Sequence, residues 1–456
     1  MAFKFSREPQ TVKPVSTENR YINTSIPCPG TLEILEELDN FESRSMHGQI
    51  PIVWDSAEDF NIFDIKKNKF IDFTSAIFFS NVGHSNKRVI NSINEMLQKP
   101  LLGCYAYANE MRSKYIKKLV DFCGDSFEKA FLLSAGTEAT EAAFKLMRMN
   151  GQSIRKKRLG IISLENNWHG RTMGAQLMSG NIDQKKWMGF KDEDIHHLPF
   201  PYPWRLNNIS GERFFENSVE QIISSGLNPA TDICGMILET FQGWGAVFYP
   251  NDYVQAARKF CSDNNIILTF DEMQSGFART GKAFGFEHYG ITPDLICCGK
   301  GMGNGYPLSG VVGKRHIMDL PDIGNMSSTH SANPVACAAG LAVIEEIEEK
   351  NLILESSRKG KILKDTLNNL KQHSNNKVSY VLGEGLIASI LFQNPDTNTP
   401  DSFIASQIAE KCYQKGLLVV HTGRESIKLG PPLTISDSAL REGLAIIEES
   451  FFEASK

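Results

Sequence analysis

The chain has 456 residues, a formal net charge of -5 and charged residues of both signs along its length. This length is sufficient for two domains, or for one large and one small domain. No basic block suggests a nucleic-acid partner and no apolar run reaches the length of a membrane span, so we expect neither partner.

The N-terminal part combines a helical pattern with a small strand-rich segment. A helix is predicted over residues 31–45, and a β-meander over Ile52–Trp54, Phe60–Ile65 and Lys69–Phe73. The apolar run Ile77–Phe79 comes next. It is either buried core or one wall of a substrate pocket, and the residues alone leave both interpretations open.

A candidate anion-binding turn follows the short predicted strand Ala130–Leu133. Residues Ser134–Thr137 form a tight turn, and a helix is predicted from Glu138 to Gly151. Free N–H groups and the helix dipole at such a helix start attract an anion, so Gly136 and Thr137 are candidate phosphate ligands. The alternative is an ordinary capped helix, because such turns are common.

A second candidate site segment follows the predicted strand Leu159–Leu164. Trp168 comes just after this strand, where an aromatic ring can stack on a flat cofactor. Arg171 can form a fork with a carboxylate. Both residues are equally consistent with an ordinary loop.

The middle of the chain alternates strand and helix patterns. Residues 185–230 are polar and are expected to be loop-rich. The predicted strand Cys234–Leu238 ends at Glu239, and a helix is predicted over residues 252–264. This rhythm between residues 130 and 310 predicts an α/β fold with a parallel, doubly wound sheet.

Two buried-strand patterns end on chemically reactive residues. The run Ile266–Phe270 leads into Asp271, and the run Leu295–Cys298 leads through a glycine to Lys300. Ligands bind outside the carboxyl ends of strands in an open α/β sheet, so both side chains are expected to face one crevice. A carboxylate keeps a pyridine nitrogen protonated and a lysine amine holds an aldehyde as a Schiff base, which is pyridoxal phosphate (PLP) chemistry. The alternative is structural, with Asp271 as a helix cap and Lys300 on the surface.

The C-terminal third is predicted to be helical first and mixed afterwards. A long amphipathic helix is expected over residues 340–373. The strand and helix patterns of residues 377–456 predict a compact α+β unit.

Cysteine usage and the N-terminus indicate the compartment. The nine cysteines are scattered, with no CxxC pair and no Cys/His spacing that suits zinc, so no metal site is expected. The stretch MAFKFSREPQTVKPV lacks the apolar core of a secretory signal, and an organelle transit peptide is the alternative with less support. We expect a reducing, cytoplasmic compartment.

Six short motifs occur in a fixed order along the chain: SAGTEA, WHGRT, FDEMQSGFARTG, the GK of CCGKGMGNGYPLSG, THSANP and PPLTI. Together they resemble the class III aminotransferases (subgroup II, ω-amino acid), a PLP-dependent family that includes 4-aminobutyrate, ornithine and acetylornithine aminotransferases. The resemblance extends from about Trp54 to about Ile435.

This resemblance implies fold type I of the PLP-dependent transferases. Such a fold has a large domain with a mostly parallel seven-stranded sheet and a smaller α+β domain built from both termini. We therefore expect residues 1–75 to pack with the small domain, residues 76–340 to form the large PLP-binding domain, and residues 341–456 to form the small domain.

The family's cofactor residues are carried over where this sequence matches. The resemblance makes Lys300 the Schiff-base lysine and proton shuttle, and Asp271 the partner of the pyridinium nitrogen. Gly136 and Thr137 match the phosphate turn, and Trp168 matches the aromatic residue that stacks on the ring. Glu239 matches an acid that helps to order the site, and Gln274 matches the residue that reaches the phenolic oxygen. Thr329 matches a threonine that reaches the cofactor of the neighbouring subunit. The last implies a homodimer with shared active sites, with dimer or tetramer left open.

The substrate positions match only in part. Arg171 matches an arginine that grips a distal carboxylate, and Ile77 falls at a substrate-pocket position. Relatives that act on glutamate have an acidic residue directly after QG and an arginine shortly before PLTI, and these two residues form an ion pair. In this chain the first position is Trp244 and the second is Lys428. Lysine lacks the bidentate fork of arginine, and tryptophan forms no salt bridge, so the usual switch is absent or rebuilt, with Arg424 as a candidate substitute.

The function implied is a transaminase of the EC 2.6.1 type. It moves the primary amino group of an ω-amino acid or related amine to a 2-oxo acid, 2-oxoglutarate or pyruvate, through Lys300. A decarboxylating transaminase or aminomutase on the same fold is one alternative, because a fold does not determine its chemistry. A non-catalytic PLP-binding protein is the other.

Overall fold

The structure is a computed structural model, and it describes residues 3–46, 50–99 and 101–456. The chain divides into two compact units. The first unit contains residues 1–86, 244–246 and 354–456, and the second contains residues 87–243 and 247–353. The domain boundaries that we placed at residues 75 and 340 stay a prediction.

The strands in chain order are β1 (Val15–Ser16), β2 (Tyr21–Ile22), β3 (Trp54–Glu58), β4 (Asn61–Asp64), β5 (Lys69–Asp72), β6 (Lys129–Leu133), β7 (Gly160–Leu164), β8 (Ile195–Leu198), β9 (Ile233–Glu239), β10 (Phe241–Gln242), β11 (Val247–Phe248), β12 (Ile267–Asp271), β13 (Leu295–Cys298), β14 (Ser309–Gly313), β15 (Val378–Glu384), β16 (Ile387–Phe392), β17 (Leu417–Leu418), β18 (Val420–His421) and β19 (Ser426–Leu429).

The helical segments are α1 (Thr31–Phe41), α2 (Ser75–Phe78), α3 (Lys87–Gln98), α4 (Glu110–Cys123), α5 (Gly136–Ser153), α6 (Met173–Met178), α7 (Gly211–Ser224), α8 (Pro229–Asp232), α9 (Asn251–Asp263), α10 (Arg315–Met318), α11 (Pro334–Glu349), α12 (Leu352–Gln372), α13 (Ser402–Gln414) and α14 (Asp437–Ala454). Short 3-10 turns lie at Arg44–Met46, Asp183–Met188, Gly285–Tyr289 and Lys300–Met302.

The second unit is built on a seven-stranded sheet with the order β6-β14-β13-β12-β9-β7-β8. Strand β14 pairs antiparallel with both of its neighbours, and the remaining strands run parallel to one another. Every residue of β7, β9, β12 and β13 is buried, as expected for a sheet covered on both faces. The prediction of an α/β fold with a mostly parallel seven-stranded sheet is confirmed.

Helix α5 covers one face of this sheet at very short distance. Its buried face consists mainly of small residues, including Ala139, Ala142 and Ala143. A Cβ added at Gly151 would lie 2.5 Å from Cys234 Cβ, so no larger residue fits at that position. Close contact between α5 and the sheet fixes the start of α5 relative to the strand ends.

The first unit contains two further sheets. One has the order β1-β2-β5-β4-β3, with β17 added parallel to β5. The other is antiparallel with the order β15-β16-β19-β18. Both chain termini contribute to this α+β unit, because β17 pairs with a strand 346 residues earlier through Leu417 and Ile71.

Segment α2 is a single turn with left-handed backbone angles. Its four residues have φ values of 43°, 51°, 63° and 69°, although none is glycine. The hydroxyl of Thr74 accepts a hydrogen bond from Ala76 N at 3.0 Å, and Ser75 Oγ donates to the Gly430 carbonyl at 2.6 Å. These bonds hold Phe78 in the interior and leave Ile77 42% exposed, so the predicted apolar run is buried only in part.

Two predictions of local structure are wrong. Residues 185–230 contain the edge strand β8 and helix α7, where the polar composition predicted mainly loop. The long helix expected over residues 340–373 is two helices, α11 and α12, because Asn351 between them has a left-handed φ of 52°.

Across residues 3–46, 50–99 and 101–456, no helix is both long and apolar enough to cross a lipid bilayer. The same residues contain no cluster of histidine, cysteine and acidic side chains placed to hold a metal ion. The nine cysteines are free thiols, and eight of them are buried.

Candidate active site

Three neighbouring strand ends of the second unit bring acidic residues beside a lysine. Glu239 and Asp271 are register partners at the ends of β9 and β12, and Asp271 is the register partner of Cys297 in β13. Lys300 follows Cys297 by three residues. The carboxyl ends of parallel strands therefore assemble this group, as the sequence predicted for Asp271 and Lys300.

Lys300 has an unusual backbone conformation. Its φ is 40°, which is a left-handed value that costs a non-glycine residue about 1 kcal/mol or more. A Cβ added to the preceding Gly299 would lie 2.5 Å from Met273 Sδ. The turn is thus held by close packing, and such strain is typical of functional positions.

The environment of Lys300 favours the neutral amine. Burial lowers the pKa of its ammonium group, and the negative charges of Asp271 and Glu239 oppose this effect without cancelling it. A neutral amine is the form that attacks a carbonyl carbon.

Asp271 is anchored by a histidine to which the sequence had assigned no role. His169 Nδ1 donates to Asp271 Oδ2 at 2.8 Å, and the amide of Met273 donates to Asp271 Oδ1 at 3.1 Å. His169 Nε2 lies 3.3 Å from Ser163 Oγ, and both His169 and Asp271 are buried. This chain of contacts fixes the direction of the Asp271 carboxylate.

Glu239 is a buried acid whose carboxylate organises two loops. Its Oε2 accepts hydrogen bonds from Trp168 N at 3.1 Å and from Gly243 N at 3.4 Å. Burial raises the pKa of Glu239 to about 7, helped by the charge of Asp271 and opposed by His169 and these two amides. A Cβ added at Gly243 would lie 2.5 Å from Gln274 Nε2, which places the Gln274 amide close to the same loop.

The predicted anion turn forms between β6 and α5. The helix starts at Gly136, and Glu138 Oε2 accepts hydrogen bonds from Ser134 N and Ala135 N at 2.9 Å each. The hydroxyl of Thr137 lies 2.7 Å from Thr172 Oγ1. The turn therefore presents a hydroxyl and a helix N-terminus to the cavity described below.

Trp168 and Arg171 lie side by side on the loop after β7. The guanidinium carbon of Arg171 is 4.5 Å from the centre of the Trp168 ring. The amide of Arg171 donates to Thr137 Oγ1 at 3.2 Å, which ties this loop to the anion turn. Both side chains are partly accessible to solvent.

Most of the predicted site residues line one cavity of about 320 Å³. This volume is in the range of small-molecule and cofactor sites. The predicted residues that line it are Gly136, Thr137, Trp168, Arg171, Glu239, Asp271, Gln274 and Lys300. Their roles in binding stay predictions.

Four predicted residues are not among those lining this cavity. Thr329 lies in an exposed loop of the second unit. Ile77, Trp244 and Lys428 belong to the first unit, where the Trp244 ring lies under the Arg424 guanidinium and the Phe78 ring lies 4.3 Å from Lys428 Nζ.

Sequence reasoning gave no role to His169 or Met273. The contact between His169 and Asp271 joins residues 102 positions apart, so no local pattern predicts it. The histidine between Trp168 and Gly170 in the WHGRT motif was the available signal. Met273 packs against Gly299 and also against Gly136, where an added Cβ would lie 2.9 Å from its sulfur.

The sequence matches the family described as Aminotransferase class-III over residues 43–451. The chain belongs to this family, as the six motifs predicted. It is 32% identical to a probable 4-aminobutyrate aminotransferase of Bacillus subtilis over 92% of this chain and 97% of that protein. It is 34% identical to a 5-aminovalerate aminotransferase of Pseudomonas aeruginosa over 89% of this chain and 95% of that protein.

A solved structure has a similar fold. An aminotransferase from Bacillus anthracis superposes with a TM-score of 0.84 at 26% identity, covering 93% of this chain and 98% of that one. The predicted fold type, the enzyme class and the dependence on PLP are thus confirmed. The two alternative functions gain no support from these relatives.

The residues of the cavity fit the PLP cofactor chemically. Asp271 offers a buried carboxylate for a ring N–H, and Lys300 offers an amine for an aldehyde. The helix N-terminus at Gly136 and the hydroxyl of Thr137 suit a phosphate, and Trp168 offers an aromatic face. All five residues line one cavity of suitable volume.

Proposed function

We propose that this aminotransferase takes the primary amino group of an ω-amino acid and transfers it to a 2-oxo acid. The observation that carries the proposal is that Arg171 and Lys300 line the same cavity. A donor whose carboxylate is distant from its amine satisfies both residues at once. The names of the two relatives, which concern 4-aminobutyrate and 5-aminovalerate, support the same class of donor.

Each residue has a separate part in this proposal. When bound, PLP supplies an aldehyde that accepts the amino group and a ring that accepts the electron pair of the donor carbon. The Nζ atom of Lys300 removes the proton from the amine-bearing carbon and later returns a proton, and burial, which lowers the pKa of its ammonium group, favours this role. The Asp271 carboxylate, directed by His169, holds the proton of the ring nitrogen.

The remaining cavity residues position the cofactor and the donor. Gly136 and Thr137 bind the phosphate, Trp168 stacks on the ring, and Gln274 reaches the phenolic oxygen. Glu239 orders the loops that carry Trp168 and Gly243, as its two hydrogen bonds indicate. Ile77 does not line this cavity, and we keep for it the part of a residue that selects the donor.

Two broader features complete the proposal. The enzyme is a homodimer, or a tetramer built from such dimers, in which Thr329 of each subunit serves the cofactor of its dimer partner, and the exposure of Thr329 supports this. The enzyme works in a reducing, cytoplasmic compartment, which the nine free thiols support.

A comparison of matched donors tests the function. Enzyme loaded with cofactor is mixed with 5-aminovalerate, 4-aminobutyrate, pentylamine or butylamine, and the absorbance of the bound cofactor is followed without acceptor. Each amino acid is expected to convert the cofactor at least about tenfold faster than the amine of the same chain length, because only it has a carboxylate for Arg171.

The variant Arg171→Gln is expected to remove most of this preference. Arg205→Gln is the matched control, because Arg205 also lies over an aromatic ring, that of Tyr202, but outside the cavity. Failure of every ω-amino acid to convert the cofactor would refute the proposed function. Equal rates of cofactor conversion by an ω-amino acid and by the amine of the same chain length would refute the role proposed for Arg171.

A further inference from the structure

The loop that carries His169 and Arg171 lies along one face of helix α5. Thr137, Thr140 and Glu141 are spaced three and four residues apart in this helix, so their side chains project from the same face. All three side chains bind the backbone of this loop or of helix α6, which follows it. The position of the loop is therefore set by α5.

Glu141 caps the start of α6 from a different helix. Its Oε1 accepts hydrogen bonds from Gly174 N at 2.7 Å and from Ala175 N at 3.1 Å. Both amides belong to the first turn of α6, where backbone N–H groups have no acceptor within their own helix. Thr172 is at the cap position, but its hydroxyl lies 2.7 Å from that of Thr137 and does not bind the helix amides. Glu141 therefore supplies the cap that Thr172 does not.

Two glycines allow this close contact. Gly170 has a φ of 136°, a value that favours glycine, and a Cβ added there would lie 2.3 Å from Thr137 Oγ1. A Cβ added at Gly174 would lie 2.4 Å from Glu141 Oε2. The chain on both sides of Arg171 is therefore packed tightly against α5.

His169 is held by a separate set of contacts. Its carbonyl accepts from Thr140 Oγ1 at 2.6 Å, and its amide donates to Ser179 Oγ at 2.9 Å. Lys185 Nζ donates to the carbonyls of Leu177 and Ser179 at 3.2 and 2.7 Å, which binds the other end of α6. These contacts are independent of the acid at the start of α6, so loss of that acid is expected to leave the histidine in place.

We propose that Glu141 is a positioning residue of the donor site, which holds the start of α6 and thereby holds Arg171 where its guanidinium meets the distal carboxylate of the donor. Arg171 N donates to Thr137 Oγ1 at 3.2 Å, and its guanidinium carbon lies 4.5 Å from the centre of the Trp168 ring. This inference rests on the proposed function and adds the residue that maintains its preference for donors with a carboxylate.

The contacts predict which step of the half-reaction changes. A guanidinium binds a carboxylate through two parallel hydrogen bonds, and such a group has to be held within about 0.5 Å of its productive position. Without its cap, the first turn of α6 loosens and Arg171 moves with it. Asp271 keeps its contact with His169, so the chemistry at the amine is unaffected. Donor binding is therefore weakened, and the maximal rate is retained.

Cofactor conversion by two matched donors tests the proposal. Enzyme with bound cofactor is mixed with 5-aminovalerate or pentylamine over a range of concentrations, which gives an apparent Kd and a maximal rate for each. Glu141→Ala is expected to raise the apparent Kd of 5-aminovalerate about tenfold, and to change the Kd of pentylamine and both maximal rates less than about threefold. Glu141→Gln is expected to stay within about threefold of wild type, because its amide oxygen still accepts the two hydrogen bonds.

Asp401→Ala is the matched control for a lost helix cap. Asp401 Oδ1 accepts hydrogen bonds from Phe403 N and Ile404 N at 3.0 Å each, so it caps α13 of the first unit as Glu141 caps α6. Both alanine variants are expected to unfold at a lower temperature than wild type. Only Glu141→Ala is expected to change the ratio of the two Kd values.

Two further variants show whether Glu141 acts through Arg171. In an Arg171→Gln background, Glu141→Ala is expected to change the Kd of 5-aminovalerate less than about threefold, because the group that it positions is already removed. Gly174→Ala disturbs the same contact from the side of α6, since its Cβ displaces the Glu141 carboxylate. It is expected to raise this Kd at least about threefold.

An unchanged Kd of 5-aminovalerate in both Glu141→Ala and Gly174→Ala would overturn the proposal. A tenfold increase that persists in the Arg171→Gln background would overturn it as well, because Glu141 would then act by another route. Failure of the proposed function is seen separately, in wild-type enzyme whose cofactor is not converted by 5-aminovalerate.

Discussion

The orientation of the Asp271 carboxylate is set by hydrogen bonds that lie entirely inside the second unit. His169 Nδ1 donates to Asp271 Oδ2 at 2.8 Å, while Ser163 Oγ lies at the longer distance of 3.3 Å from His169 Nε2. Neighbours that orient a functional group typically change activity when they are removed. His169 is therefore a positioning residue in the proposed mechanism.

We expect His169→Ala to lower kcat about 10- to 100-fold and to change the KM of the donor much less. Asp271 then loses a buried donor, and its carboxylate is no longer held toward the ring nitrogen. Ser163→Ala is the comparison variant and is expected to change kcat less than about threefold, because its contact is longer. Steady-state kinetics and the pH dependence of the cofactor spectrum measure both effects. An unchanged spectrum and kcat in His169→Ala would exclude this role.

Glu239 makes stability depend on pH in a defined direction. Its pKa in the folded protein is about 7, against an ordinary value of 4.5. Between these values the folded chain retains a proton that the unfolded chain has lost. The contribution of Glu239 to the free energy of unfolding is therefore fully present below about pH 4.5 and is lost as the pH rises through about 7.

The loss amounts to about 3 kcal/mol for a shift of this size. In cofactor-free protein, Glu239→Gln is expected to become more stable relative to wild type as the pH rises from 5 to 8, since glutamine still accepts the two amide hydrogen bonds. Denaturant unfolding at several pH values measures this difference. Glu193→Gln, at an exposed position, is the control and should show no such trend. A constant difference between Glu239→Gln and wild type would contradict the assignment.

At the scale of elements, the left-handed turn α2 depends on a glycine in another part of the chain. Phe78 occupies the space beside Gly430, where an added Cβ would lie 2.3 Å from a carbon of the Phe78 ring. The turn is also bonded to the Gly430 carbonyl through Ser75 Oγ. The conformation of Ser75–Phe78 is therefore imposed by tertiary contacts and not by its own sequence.

We expect Gly430→Ala to destabilise the protein by about 1–3 kcal/mol, because the Phe78 ring has to leave its position. Gly103→Ala is the matched control, since an added Cβ at Gly103 meets no atom within 4 Å. Thermal unfolding measures both variants. A Gly430→Ala protein as stable as wild type would show that the turn adjusts without cost.

The predicted strand positions agree with the structure where the buried strands are short and apolar. The prediction for β13 matches its observed range, and that for β12 differs by one residue at each end, because both are short apolar runs. Strand β8 has the sequence IHHL, with two histidines between its apolar ends, so composition did not indicate a strand. The left-handed φ of Ile77 had no signal either, since no glycine or asparagine marks it.

At the scale of the whole molecule, the sequence predicted the family, the fold and most of the cavity. Strand ends meet by a general rule of α/β sheets, which is why Asp271 and Lys300 were placed together correctly. The assignment of residues 244–246 to the first unit was not predictable, because it depends on contacts made by residues distant in sequence such as Ser389. The stacking of Arg424 on Trp244 was not predictable for the same reason, because it joins residues that are distant in sequence.

Shared active sites can be tested with two defective proteins. Lys300→Ala is expected to be inactive, and Thr329→Ala is expected to retain cofactor about tenfold less well, because it loses one hydrogen bond to a phosphate. If Thr329 serves the neighbouring subunit, a mixed dimer contains one site in which both residues are intact. Co-expression should then give more activity at limiting cofactor than the two proteins do separately.

The control pairs Lys300→Ala with Thr397→Ala, which changes an exposed threonine in a turn and is expected to be fully active alone. Co-expression of these two variants should give no more activity at limiting cofactor than the two proteins give separately. If Thr329 acts only within its own subunit, every site in the mixed dimer carries one defect, and the first pair also gives no gain. The comparison therefore decides between shared and separate sites by activity at limiting cofactor, independently of which donor the enzyme prefers.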